Sequence, residues 1–313
     1  MKYNTYIKGG IPVSEIGLGA WQLGSSSDWK SMSEKEAIKM VLQSMDYGIN
    51  FFDTAPNYGF GTSEIRLGKA FKGRDRDKFV INTKFGHTVE GRTNFRSDSI
   101  RDSLEGSLKR LDVDYVDSLI IHNPPFDVLD GNKNDHYEVL EKLMDQGKIK
   151  AYGASLDNSM EMDLFMRTTN CSVIEAFFNI LHQDTANAFE MAQHKEVAII
   201  AKIPLDSGWL SGKYDEKSSF DDIRQRWSRE DIGTRAKLVK EIKQIIGKDR
   251  DLAQTAIAFC LSYPAISTVI PGNATMDQLR SNVESTQKPI STELVVKLQD
   301  FYKREIMDMN LPW

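Results

Sequence analysis

Ile49-Asn50-Phe51-Phe52-Asp53-Thr54-Ala55-Pro56-Asn57-Tyr58 is the stretch on which the fold turns. A short apolar run ends on a carboxylate, and a phenol follows five residues later in the adjoining loop. Two further runs end the same way, Phe79-Val80-Ile81 leading to Lys84 and Ser118-Leu119-Ile120-Ile121 leading to His122. Asp53, Tyr58, Lys84 and His122 are therefore placed together at strand ends, on one end of a parallel barrel. There, a carboxylate, an ammonium and an imidazole around a phenol make a proton-donating site.

Working outward, apolar or β-branched runs recur at 16–19, 49–53, 79–84, 115–122, 149–154, 173–178, 197–201 and 267–270. Helical periodicity fills the gaps, for example at 34–47, 97–111, 135–146 and 251–262. Ser33 with Glu36, and Asp251 with Gln254, have helix-start spacing, and Gly48 and Gly147 stand where helices should stop. Eight β-strand and helix units in one chain predict a single domain over 1–313 with the (β/α)8 TIM-barrel architecture. An N-terminal β-hairpin over 3–13, turning at Gly9-Gly10, and extra helices at 234–246 and 292–306 complete the expectation. A doubly wound sheet is the competing fold. Its phosphate fingerprint is missing, because Gln22 stands where the third glycine after Gly17 and Gly19 belongs.

Composition narrows the function classes. The chain has 313 residues, 40% hydrophobic and 27% charged, with a net charge of −5. That balance supports a buried core and argues against nucleic-acid binding by phosphate neutralisation. No apolar run suits a signal peptide or a membrane span, so a cytoplasmic, non-membrane protein is expected. Cys171 and Cys260 lack partner spacing, so both are expected to be buried thiols, and no metal site is predicted.

A tyrosine phenol ionises at about 10, and bringing it to about 7 takes roughly 4 kcal/mol. An ammonium about 4 Å away in an effective dielectric of about 20 supplies that much. Lys84 is the candidate cation, Asp53 would hold it protonated, and His122 would orient a carbonyl oxygen or pass a proton. This is acid catalysis on a carbonyl, and base catalysis on an alcohol in reverse. It needs a hydride source, which implies a nicotinamide, NADP(H) or NAD(H).

The chain resembles the aldo-keto reductase family over nearly its whole length. Asp53-Thr54-Ala55-Pro56-Asn57-Tyr58-Gly59-Phe60-Gly61-Thr62-Ser63-Glu64 matches the family's D-T-A-x-x-Y-G-x-G-x-S-E signature. Gly17-Leu18-Gly19-Ala20-Trp21 resembles the first-strand motif, and Lys84 and His122 complete the tetrad. The resemblance implies Tyr58 as the acid, Lys84 and Asp53 as its tuners, and His122 as the carbonyl orienter. It also implies cofactor contacts from Pro204, Leu205, Ser207, Gly208 and Leu210 after strand seven, and from Pro271, Gly272, Asn273, Thr275, Gln278 and Asn282 after strand eight. Thr275 and Gln278 also have the spacing of an ordinary helix cap.

Departures from the family pattern bear on the cofactor. The positions that grip a 2′-phosphate in many relatives are Gly272, Ala274 and Gln278 here. Arg280, or Arg224, Arg226 and Arg229 of the long 204–233 segment, would have to compensate. Ser155 matches a nicotinamide contact, but Leu156 follows it, Glu175 replaces the usual glutamine, and Lys202 replaces the stacking aromatic. Either another residue covers the ring or the lysine meets a phosphate.

Trp21, Trp29, His87 and Trp209 are candidate pocket residues, suited to an aldehyde, a ketone or a sugar ring. Two other functions fit the same residues. One is a Schiff-base lyase using Lys84; the other is a nicotinamide-sensing regulatory subunit that keeps the reductase fold. Both a monomer and a homo-oligomer are compatible with the sequence.

Overall fold

The barrel follows from the two-residue alternation of its strands. The computed structural model describes residues 1–24, 28–309 and 311–312. After a two-stranded antiparallel hairpin, β1 (Tyr3–Asn4) with β2 (Val13–Ser14), come eight parallel strands. They are β3 (Leu18–Gly19), β4 (Phe51–Asp53), β5 (Val80–Phe85), β6 (Val116–His122), β7 (Ile149–Leu156), β8 (Val173–Phe177), β9 (Ala198–Lys202) and β10 (Ile266–Val269). Each pairs with its neighbour in chain order. The two ends of the sheet meet: Gly17 donates to the Val269 carbonyl at 2.8 Å and Val269 donates to that of Glu15 at 3.0 Å. Parallel bridges Ile16–Val269 and Gly19–Gly272 accompany this closure. The eight strands predicted from sequence are all present, with ends moved by one or two residues.

Among the described residues, eight helices cover the barrel: α1 (Glu34–Asp46), α2 (Thr62–Phe71), α3 (Ile100–Leu111), α4 (His136–Asp145), α5 (Ser159–Thr168), α6 (Phe189–His194), α8 (Leu252–Leu261) and α9 (Met276–Glu284). Between α6 and α8 lies an extra helix, α7 (Arg229–Ile246), and α10 (Thr292–Glu305) follows α9. The Ser33–Glu36 capping box forms at α1, and the Asp251 carboxylate accepts from the Gln254 amide at α8. The α7 boundary differs from the sequence expectation of 234. A capping box between Ser228 and Asp231 starts that helix at Arg229, which shortens the preceding segment.

Inward-facing residues divide the barrel interior into two levels. Phe51, Val80, Ile120, Ala151, Val173, Ala198 and Ile200 form an apolar lower cluster, sealed by Tyr6, Ile7 and Val13 of the N-terminal hairpin segment. Advancing two or four residues along the strands keeps the same face and reaches Asp53, Lys84, His122, Ser155, Glu175 and Lys202. Both thiols are free and buried, and burial pushes Cys171 up to about 12. Among the described residues, no helix is long and apolar enough to cross a membrane.

Candidate active site

Tyr58 is set by the residues around it in the signature stretch. Its loop is tied to the first strand's loop, because Ser63 Oγ bonds Thr54 Oγ1 at 2.9 Å and donates to the Ala20 carbonyl at 2.8 Å. Glu64 accepts from Thr83 Oγ1 at 2.7 Å and from Arg110 Nε at 2.6 Å, fixing the start of α2 against β5 and α3. Gly59 has φ 61°, and a Cβ there would lie 2.0 Å from the Gly24 carbonyl oxygen, so only glycine lets the two loops touch. The four candidate side chains thus come from three strands, with Tyr58 in the loop that follows the strand of Asp53.

The charged centre is buried and crowded. Lys84 Nζ contacts Asp53 Oδ1 at 2.5 Å, the Thr54 carbonyl at 3.0 Å and Glu175 Oε2 at 3.3 Å. Asn82 donates to Asp53 Oδ1 at 2.7 Å and accepts from Ser118 Oγ at 2.6 Å, and Ser118 meets Tyr6 Oη at 2.7 Å. A column of hydrogen bonds therefore joins the hairpin plug to the site. Lys84 Nζ stands 5.2 Å from the Tyr58 ring centre.

The charges decide the protonation states. Burial pulls the Lys84 ammonium down, but Asp53 and Glu175 outweigh it and hold the ammonium. Burial pushes the Tyr58 phenol above its ordinary value; Lys84 pulls it down, and Asp53 and Glu175 push it up. The net lowering expected from Lys84 is thereby overturned, first by burial and then by the charges of Asp53 and Glu175. His122 is driven well below the ordinary imidazole value by burial and then by Lys84, His87 and Lys202, so it is neutral at neutral pH. Its Nδ1 is buried with no protein partner.

Aromatic rings enclose the phenol. Trp21 stacks on Tyr58 with ring centres 5.6 Å apart, Trp29 meets Trp21 edge-on at 5.3 Å, and His122 lies 5.9 Å from Tyr58. His87 is 4.8 Å from His122 and lines a smaller neighbouring cavity with Pro56 and Thr88.

A cavity of about 580 Å³ runs from Tyr58, Asp53, Trp21 and Trp29 to the start of α9. Of the predicted cofactor residues, Glu175, Lys202, Pro204, Leu205, Ser207, Gly208, Gly272, Thr275, Gln278 and Asn282 line it. Ser155 and Asn273 lie just behind: Ser155 Oγ accepts from Lys202 at 2.8 Å, and Asn273 Oδ1 accepts from Asn282 at 2.8 Å. Pro271 is not among the lining residues, although its carbonyl accepts from Asn273 at 2.9 Å. Leu210 and Trp209 do not reach the cavity. Asp206, Ser207 and Gly208 all have positive φ, which turns the next two side chains into the core, where both are fully buried.

Lys202 is saturated by Asp157 at 2.8 Å, Ser155 at 2.8 Å and Asn123 at 3.0 Å, so it is not presented to a phosphate. Gln278 turns back to accept from the Ala274 amide at 2.8 Å, while its own amide is capped by Thr275. Arg224 is paired with Asp222 at 2.5 Å and stacked against Phe220, and Arg229 donates to Ser218 at 2.9 Å. Arg280 is held by Asp277 at 2.8 Å.

Lys30, Asp222 and Asp277, which the sequence does not single out, also line the cavity, as does Asp251, expected only as a helix start. Asn82 was also passed over. That residue stands two before Lys84, so strand alternation alone would have found it.

A closed β/α barrel with a buried phenol–ammonium–carboxylate centre at the carboxyl ends of its strands, opening into a long cavity, has the arrangement of a barrel enzyme. Residues 15–303 match the model of the Aldo/keto reductase family, and the chain belongs to that family of nicotinamide-linked carbonyl oxidoreductases. The aldo-keto reductase YhdN of Bacillus subtilis is 30% identical, with 98% of each chain covered. The NADH-specific methylglyoxal reductase of Escherichia coli is 26% identical over 87% of this chain and 90% of its own. An aldo-keto reductase of Bacillus halodurans in its holo form has the same fold, with a TM-score of 0.82 over the full length of both chains at 24% identity.

Proposed function

We propose that this chain is a cytoplasmic, single-domain reductase that moves a hydride between a nicotinamide and an aldehyde, ketone or sugar carbonyl, with Tyr58 as the proton donor. The observation that carries the reading is a neutral phenol on the cavity wall, with a buried ammonium on one side and a neutral imidazole on the other. The cavity's reach from Tyr58 to the α9 start suits an extended dinucleotide, and the unpartnered His122 Nδ1 marks a polar atom awaiting a ligand. When bound, a nicotinamide supplies the hydride.

The chain's own residues do the rest. Tyr58 gives its proton to the developing alkoxide, and Lys84 offsets the phenolate that this leaves. Asp53 keeps Lys84 charged and in place. His122, being neutral, donates a hydrogen bond to the carbonyl oxygen rather than transferring a proton. Trp21 and Trp29 offer apolar faces to the substrate beside Tyr58.

NAD(H) is the favoured cofactor on this reading. Asp277 and Gln278 line the α9 end of the cavity, Arg280 and Arg229 are engaged elsewhere, and Arg224, which lines the cavity with Lys30 and Lys213, is paired with Asp222. The E. coli relative named for NADH specificity is in keeping with this. A Schiff-base lyase has less support, because Lys84 is fully buried and held as an ammonium without a free lone pair. Fluorescence titration with NADH and NADPH tests the proposal. NADH should bind about tenfold or more tightly, the order of one lost charged phosphate contact. Tighter NADPH binding would overturn the cofactor assignment, and no binding of either by folded protein would overturn the reductase reading.

A further inference from the structure

Glu175 gives the cavity wall a charge that a neutral amide at the same place would not. It follows Val173 by two residues on β8, faces inward and is 3% exposed. One oxygen, Oε2, is 3.3 Å from Lys84 Nζ and 3.5 Å from Asn82 Nδ2; the other, Oε1, accepts from Ser155 Oγ at 3.4 Å. Asp53 shares both Lys84 and Asn82 with it. Two buried carboxylates thus divide one ammonium, and both line the cavity that holds Tyr58. The nearby cation Lys202 is balanced by Asp157 at 2.8 Å. With both carboxylates ionised, this wall carries one negative charge in excess.

Building on the nicotinamide reading above, we propose that Glu175 makes this site favour the cationic, oxidised nicotinamide over the neutral, reduced one, and that the Asp53–Glu175 pair switches this preference off by taking up a proton. A cation gains from the excess charge and a neutral ring does not. Asp53 takes up its proton in a usable range: burial and then the Glu175 carboxylate push it up to about 7, against the pull of Lys84.

Lys84, Tyr58, Tyr6 and His122, which face the pair, keep their protonation states through that range. Lys84 on β5 is held charged by Asp53 and Glu175 against burial. Tyr58 after β4 and Tyr6 of the hairpin segment are pushed up by burial and stay neutral. His122 on β6 is pushed down by burial and stays neutral. Asp117 on β6 is paired with Arg76 at 2.7 Å and Lys150 at 3.0 Å, and Lys202 on β9 with Asp157. Raising the pH removes the shared proton, restores the excess charge and tightens NAD⁺ alone. By linkage, binding of NAD⁺ expels part of a proton.

The test is the ratio of the NAD⁺ and NADH dissociation constants at pH 6 and pH 8. NADH is titrated by fluorescence and NAD⁺ by calorimetry in two buffers of different ionisation enthalpy, which also reads proton release. In the unaltered protein the ratio should fall about tenfold between the two pH values, on the order of one charge acting at short range. Glu175→Gln should flatten that dependence to within about twofold and abolish the proton release, while Glu175→Asp, which keeps the charge, should retain both. A flat ratio in the unaltered protein, or an unchanged dependence in Glu175→Gln, would overturn the inference while leaving the nicotinamide reading intact. Folded protein that binds neither nucleotide would overturn both.

Discussion

The lower and upper levels of the barrel interior are built from the same strands and the same alternation, yet they do opposite work. At the lower level Phe51, Val80, Ile120 and Val173 pack against a hairpin plug that contributes Tyr6, Ile7 and Val13. Two or four residues further on, the same strands present Asp53, Lys84, His122 and Glu175. The lower level is stabilised by removing apolar area from water. The upper level depends instead on one buried ammonium, Lys84, shared by the Asp53 and Glu175 carboxylates. Alternation chooses the face; the step from apolar to ionisable residues along each strand chooses the end at which chemistry happens.

Removing the upper level's central charge should do the most damage. Lys84→Met leaves Asp53 and Glu175 facing each other without a cation, and should cost about 3–5 kcal/mol of stability. In addition, carbonyl reduction should fall by roughly a thousandfold. Urea unfolding and steady-state rates measured on the same preparation check both; a loss of stability alone would confine Lys84 to a structural role. The lower level should respond differently. Phe51→Ala opens a cavity beneath the site and should cost about 3–4 kcal/mol, with nucleotide affinity of the folded protein within about twofold of the unaltered value. A large loss of affinity in Phe51→Ala would mean that the two levels are not separable, and the Tyr6–Ser118–Asn82–Asp53 column would be the route joining them.

The difference between the levels also explains what was legible in the sequence. Strand alternation and the apolar-to-polar step put Asp53, Lys84 and His122 at strand ends, and the structure brings them around Tyr58. Glu175 was visible as a departure, but its partner was not. That Glu175 and Lys84 meet depends on how β5 and β8 face each other across the interior, which no local spacing encodes. The segment after β9 was read only in part. A run of positive φ at Asp206 and Ser207, residues that rarely adopt it, reverses the side chains that follow and takes Trp209 and Leu210 into the core. The start of α7 was legible and overlooked, since Ser228 and Asp231 carry a capping box in plain sequence. Gly272, Ala274 and Gln278 were readable as departures from the family's cations. That Arg280 is tied to Asp277 needed coordinates.

Proton donation by Tyr58 is the step on which the proposed reaction depends most. The most direct test is the rate of NADH-dependent reduction of a small aromatic aldehyde by the unaltered protein and by Tyr58→Phe, each saturated with nucleotide. Tyr58→Phe should lower turnover by about a thousandfold, within the range for losing a positioned acid. The nucleotide dissociation constant should stay within about twofold, because that substitution removes one hydroxyl and leaves the ring stacked on Trp21. Turnover that survives the loss of the hydroxyl would contradict the central claim and move the proton to another group on this wall.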